Sequence, residues 1–235
     1  MGKRINEEIK INLEEIFKYK PLNKKSLEII NRGYCFAEIE NKKLLFVGIN
    51  PSYLEGYDNN SFSYDSQKAV IEYPKYFKKF ASLIESTIYN NIWTYLDIFH
   101  FRETNQEIIS HLIENDLDFI IKQLRLTHNI INQLNPEIIV VCNSGASNFF
   151  GINKTQNLKE NIETNIWLGY DFEFNEDYGI DIIKGINENS LVKDLDYSNL
   201  IGKPILFTST LTYQDKFNKK RLSWIINRVG KNYIK

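Results

Sequence analysis

Residues 44–49 read Leu-Leu-Phe-Val-Gly-Ile, a nearly continuous apolar run that stops at Asn50-Pro51. A strand with one wet face alternates apolar and polar residues. A run without alternation expects cover on both faces, as in a parallel sheet flanked by helices. Pro51 lacks a backbone donor and ends the ladder. Similar runs occupy residues 137–142 and 204–207, and residues 91–101 read as a further central strand and its exit. Between them lie helical periods. Tyr76, Phe77, Phe80, Leu83, Ile84 and Ile88 mark one helix, and Ile120, Leu124, Ile131 and Leu134 another, for which Asp116 is the expected N-cap. Phe217, Leu222, Ile225, Ile226 and Val229 share one face of a closing helix. Strands alternating with helices predict an α/β chain: a three-layer α/β/α sandwich around a central, mostly parallel four-stranded sheet.

The expected organisation is one domain over residues 1–235. It has an N-terminal helical extension over about 1–33 and an acidic insertion over about 152–200, expected as a hairpin or irregular segment from the alternation in residues 167–174 and 180–183. Residues 34–39 and 44–49 are expected as strands around a Glu-Asn-Lys-Lys turn. Residues 51–74 are rich in Asn, Ser, Asp and Tyr without an apolar period. Such a long irregular loop usually serves function.

Several classes lose support. The apolar runs are too short to span a bilayer, so no membrane partner is expected. Residues 1–8 lack the apolar stretch of a signal peptide, and a cytoplasmic monomer is the expectation. Cys35 and Cys142 sit in apolar surroundings and read as buried reduced thiols. His100, His111 and His128 lack metal-ligand spacing, and His128 falls on a core-edge helical register; no metal and no cofactor are expected. Neither a dinucleotide glycine fingerprint, a P-loop nor a nucleophile elbow is present.

The net charge is −1, so no global field draws the chain to nucleic acid. The charge is uneven, however. Residues 216–235 carry Lys216, Lys219, Lys220, Arg221, Arg228, Lys231 and Lys235 and no acid. Residues 171–196 hold eight acids against Lys184 and Lys193.

In an open parallel sheet, ligands bind outside the strand C-termini. Four turns are expected there: Asn50-Pro51-Ser52-Tyr53, Asp97-Ile98-Phe99-His100, Asn143-Ser144-Gly145 and Thr208-Ser209-Thr210-Leu211. Together with their strands they resemble the uracil-DNA glycosylase superfamily, closest to its mismatch-specific uracil/thymine branch. Leu45-Phe46-Val47-Gly48-Ile49-Asn50-Pro51 is similar to that branch's first motif, and Phe62 follows Asn50 by 12 residues, as its base-stacking ring does. Tyr95-Leu96-Asp97 resembles the second base-contacting segment. The 135–141 strand resembles the third, and residues 206–212 stand where the family has its His-Pro-Ser or Asn-Pro-Ser loop. The likeness covers roughly residues 40–150 and 203–230.

The resemblance implies a cofactor-independent hydrolase that extrudes a modified or mismatched base from DNA, single-stranded or mismatched, and cleaves its N-glycosidic bond. Asn50 would orient the attacking water. Backbone N–H groups near Ile49 and Ser52 would face the base, with Phe62 stacking on it and Tyr53 as a second wall. Leu211 would enter the duplex as a wedge. Thr208, Ser209, Thr210, Lys216, Lys219 and Lys220 would hold phosphates. There are departures. Thr208 replaces the His or Asn of the fourth motif and Ser209 its Pro. Ser52 stands where the branch has Gly, and Asp97 where strict uracil readers carry Asn. An ionised Asp97 aimed into the pocket would favour a base bearing an amino group. Two other classes share the pattern: a non-catalytic nucleic-acid-binding module on the same fold, and a Rossmann-like enzyme acting on free nucleosides or nucleotides.

Overall fold

In a computed structural model, the chain is described over residues 2–233 except 41, 55, 57–59 and 158–161. Asn41 of the expected turn and Lys235 of the basic tail therefore lie outside the described residues. In chain order the elements are α1 (Gly2–Ile16), α2 (Lys24–Asn31), β1 (Cys35–Glu38), β2 (Leu44–Gly48), β3 (Phe62–Asp65), α3 (Ser66–Glu72), α4 (Pro74–Ile84), β4 (Trp93–Asp97), α5 (Glu107–Asn115), α6 (Leu117–Leu134), β5 (Ile138–Val141) and α7 (Ser144–Phe150). They continue with β6 (Thr155–Asn157), β7 (Ile162–Thr164), β8 (Tyr170–Asn175), β9 (Ile180–Ile186), β10 (Pro204–Phe207) and α8 (Lys216–Asn232).

The main sheet has the order β4-β2-β5-β10-β9-β8. The first four strands run parallel, and the β8–β9 hairpin joins them antiparallel through β9. The sheet is thus mixed and six-stranded, which corrects the expected four. Alternation along the buried strands sends Leu45, Val47, Ile139, Val141 and Ile205 into one hydrophobic layer, shared with α1, α2, α5, α6 and α7. Leu44, Phe46, Ile138, Val140 and Leu206 point the other way, onto α4 and α8. Among the described residues, no helix is long and apolar enough to cross a membrane.

Several expectations need local correction. β1 does not form a hairpin with β2; it pairs in parallel with β3 in a separate two-stranded sheet. β3 and α3 both arise within the segment expected to be irregular, α3 being capped by the Asp65 carboxylate on Gln67 N and Lys68 N. Residues 170–186 of the expected insertion supply two strands of the main sheet, and Tyr170 and Ile183 lie in its core. His128 is buried, with Nδ1 2.7 Å from Tyr170 Oη and Nε2 2.7 Å from the Asp196 carbonyl oxygen, so it ties α6 to this segment. The N-terminal helices are likewise part of the core, through Ile9, Leu13, Ile29 and Ile30. Asp116 stands at the N-cap of α6, but its side chain makes no cap hydrogen bond. Cys35 and Cys142 are buried free thiols.

Candidate active site

The chain enters the main sheet at β2, adds β4 on one side and then β5 on the other. The α4 helix connects β2 to β4 over one face, and α5 and α6 connect β4 to β5 over the opposite face. The connections therefore diverge between β2 and β5, and the crevice outside these strand ends is where ligands of open α/β sheets bind. Asn50 follows β2 and Asn143 follows β5, so the two turns flank this point. Gly145 lets them approach: a Cβ there would lie 2.9 Å from Ile49 Cδ1.

The Asn50 amide is held at both ends. Its Nδ2 donates to the Glu103 carbonyl oxygen at 2.6 Å and to the Pro51 carbonyl oxygen at 3.1 Å. Its Oδ1 accepts from Gln106 Nε2 at 3.0 Å. Two carbonyl acceptors fix which end of the amide is nitrogen. Both N–H groups are consumed, and one of the two Oδ1 lone-pair sites remains. Asn50 is half-buried. The support beneath it is hydrogen-bonded in turn. Glu103 N donates to the Pro51 carbonyl oxygen at 2.9 Å, and Thr104 Oγ1 bridges Tyr53 by accepting from its N–H at 3.2 Å and donating to its carbonyl at 2.6 Å.

Glu103 is the hub of this support. Its carboxylate accepts from Thr104 N, Asn105 N and Arg32 Nη1, the last at 2.6 Å. Burial pushes its pKa up, but these donors and the Arg32 charge outweigh burial and hold it below the usual carboxylate range. Arg32 also lies over the Tyr53 ring, 4.3 Å from its centroid. The Arg102 guanidinium is 5.3 Å from the Tyr53 centroid and 5.0 Å from that of Phe62. Phe62, the first residue of β3, keeps 46% of its surface exposed. Two aromatic rings expected from the sequence as walls are thus brought around one cation.

Asp97 stands elsewhere. In register with Gly48, it faces the α4 layer at 4% exposure, and its Oδ1 accepts from Tyr95 Oη at 2.7 Å. Tyr76 Oη lies 2.9 Å from Tyr95 Oη and extends the chain of hydroxyls. Burial pushes the Asp97 carboxyl from an ordinary 3.8 to about 7, although the Tyr95 hydrogen bond favours its charged form. A Cβ on residue 48 would collide with both Tyr95 Oη and Asp97 Oδ1, so the glycine of this strand end makes room for them. The premise of an ionised Asp97 aimed into the pocket is not met: the carboxyl is turned into the α4 layer against Tyr95, with burial favouring its protonated form, and the amino-base preference drawn from that premise loses its basis.

Of the other expected site residues, Ile49 is buried, Ser52 exposed and Tyr53 half-buried. The fourth turn is closed by its own hydrogen bonds. Gln214 Nε2 donates to Thr208 Oγ1 at 2.6 Å and to the Ser209 carbonyl oxygen at 2.7 Å, and Asn143 Nδ2 reaches Thr210 Oγ1 at 3.5 Å. Leu211 is 2% exposed and packs with Leu222, Ile225 and Ile226, which corrects its expected role as a wedge. His100, expected in a strand-end turn, is fully buried; neither ring nitrogen has a hydrogen-bond partner among the described residues, and burial pushes its pKa to about 4. Among the described residues, no three His, Cys, Asp or Glu side chains are grouped to hold a metal.

Lys216, Lys219 and Lys220 project from α8 into a groove whose other wall is α4. Sequence reasoning missed Arg32, Arg102, Glu103 and Gln106, which lie far apart in the chain or in a segment without periodicity. The Glu103-Thr104-Asn105 run, a carboxylate able to bond the following N–H groups, was the available signal. No protein-family model matches this chain, and no curated protein matches it in sequence.

Proposed function

We propose that this chain is a DNA base-excision hydrolase with a uracil-DNA glycosylase-like sheet, and that Asn50 positions the water that attacks the sugar. The observation that carries this reading is the clamped Asn50 amide at the divergence point of the sheet. An amide whose nitrogen is already committed can present only its oxygen. That oxygen accepts one hydrogen bond from a water and turns the water's lone pair toward an anomeric carbon. The C1′–N bond breaks and the base leaves with the bonding electron pair; the water oxygen bonds C1′ and then sheds its proton to the departing base or to solvent, because an amide oxygen accepts a hydrogen bond but not a proton. Fixing the acceptor before reaction removes the orientational cost from the barrier.

Negative charge gathers on the departing base, and stabilising it is the larger task. The His or Asn of the fourth motif in the family this chain resembles is replaced here by Thr208. Arg102 supplies a positive charge beside Phe62 and Tyr53, the two rings proposed to stack on the extruded base. The competing reading is a nucleic-acid-binding module without catalysis. It is favoured by the self-satisfied fourth turn, which offers the base no ionisable group.

Both are tested by incubating the pure protein with single- and double-stranded oligonucleotides bearing uracil, hypoxanthine, xanthine or a G·T mismatch, then cleaving abasic sites with alkali. Strand scission at one of these bases is expected. Salt-sensitive binding without scission on any of them would replace the hydrolase with the binding module.

A further inference from the structure

The α4 and α8 helices lie side by side on the same face of the sheet. Near one end Lys79 Nζ donates to Thr212 Oγ1 at 2.7 Å, and at the other Ile88 N donates to Asn227 Oδ1 at 3.1 Å. Both helices start where the strands end, since Tyr76 in the first turn of α4 meets Tyr95 and α8 follows β10. Between them runs an open groove of about 910 Å³. Lys75, Lys78 and Lys79 line it from α4, and Lys216, Lys219 and Lys220 from α8. Each set recurs at helical spacing, so each helix contributes one continuous basic edge.

No lining residue is acidic, and among the described residues none of the six lysines forms an ion pair. The nearest acid in sequence, Asp215, is occupied as the N-cap of α8, accepting from Asn218 N. Burial and the neighbouring Lys219 push the Lys79 pKa down. A solvated helix face ordinarily mixes signs. Six cations facing each other across a concave surface repel, and a polyanion relieves that repulsion.

The aromatic residues narrow the partner. Trp224 lines the groove at 57% exposure, and Phe217, seven residues earlier and about 10 Å along the axis, is 73% exposed rather than on the buried α8 face where the sequence pattern put it. Lys220 stands between them in sequence. Aromatic faces interleaved with cations suit unstacked bases on a phosphate backbone. Arg228 lies over the Trp224 ring, 5.1 Å from its centroid, which leaves the other face for a base; a duplex hides its base faces and could stack on neither that face nor Phe217.

We infer that the α4–α8 groove binds single-stranded nucleic acid, its lysines taking the phosphates and Trp224 and Phe217 stacking on bases. This rests on and extends the nucleic-acid reading above: to Lys216, Lys219 and Lys220, already expected to hold phosphates, it adds the α4 lysines and the two rings, none of which belongs to the Asn50 turn.

The test is fluorescence anisotropy with a labelled 20-nucleotide oligo-dT strand over a range of KCl concentrations. Affinity should fall with salt, with a log–log slope of about −2 to −4, as expected for three to six phosphates on a single strand. The double variant Lys78→Glu, Lys219→Glu should weaken binding by at least about 30-fold and flatten the slope. Trp224→Ala should weaken binding about tenfold with the slope unchanged, because stacking releases no counterion. Thermal melting checks that both variants fold. Asn50→Ala should bind the strand like wild type, so loss of base release and loss of binding are separate failures. Equal or tighter binding to a duplex of the same length would overturn the inference. So would binding to anionic phosphatidylserine vesicles but not to oligo-dT, or affinities unmoved by the groove variants.

Discussion

At the turn after β2 the Asn50 amide and the Glu103 carboxylate are each held by several hydrogen-bond partners, whereas across the α4–α8 groove, among the described residues, none of six ammonium groups forms an ion pair and that of Lys79 donates to a neutral hydroxyl. The first arrangement fixes direction and the second accumulates charge. A group that must aim a water has to be immobile before substrate arrives. A group that must attract a flexible polyanion loses nothing by remaining mobile, since counterion release is insensitive to exact geometry. The contrast predicts where substitutions are felt: as stability near the strand ends, and as affinity in the groove.

The largest effect should come from Asp97, which lies under the strand-end turn. Its folded pKa of about 7 exceeds the ordinary 3.8, so the native state holds a proton that the unfolded chain has lost. Stability contributed by the protonated form is present below about pH 4 and is lost as pH rises through about 7. The penalty above neutrality is on the order of 4 kcal/mol. Asp97→Asn should flatten this dependence and melt higher than wild type at pH 8. A wild-type stability curve that rises between pH 4 and 7 and is unaltered in shape by this substitution would show that Asp97 is not buried as described.

A smaller effect is expected at Gly48. Gly48→Ala forces a methyl into Tyr95 Oη and Asp97 Oδ1 and should destabilise the fold by about 2 kcal/mol or more. Gly185→Ala, where a Cβ meets nothing within 4 Å, is the matched control. Equal melting of the two variants would break the claim that the strand end is tightly packed. The smallest effect is expected in the groove, where Lys219→Ala should change stability by no more than about 0.5 kcal/mol. Relief of repulsion with Lys79 makes a slight gain the expected sign.

Much of the parallel core was legible because β2, β5 and β10 are short apolar runs that can only be buried on both faces. The β8–β9 hairpin was legible from the alternation in residues 167–174 and 180–183, but its joining the main sheet was not, because Asp171, Glu173 and Asp181 give it the look of a solvated segment, while the packing of Tyr170 and Ile183 emerges only in three dimensions. The β1–β2 hairpin was misread for a related reason: two neighbouring strands suggest a local turn, yet the partner of β1 is β3. Asn50 could be singled out by its place after a buried strand. Its clamp could not, since Glu103 and Gln106 lie more than 50 residues away. Leu211 sits among Thr and Ser residues and reads as exposed, until α8 folds back over it. The lysines of α4, taken alone, are an ordinary polar helix face; their meaning comes from α8 lying opposite.

The most direct test of the central claim is single-turnover base release by wild type and Asn50→Ala on the oligonucleotide that wild type cleaves fastest, with binding and melting followed in parallel. The clamped-amide account predicts a loss of at least about 100-fold in the chemical step, with oligo-dT affinity unchanged and melting altered only slightly. An Asn50→Ala protein that folds, binds and releases the base at the wild-type rate would contradict it.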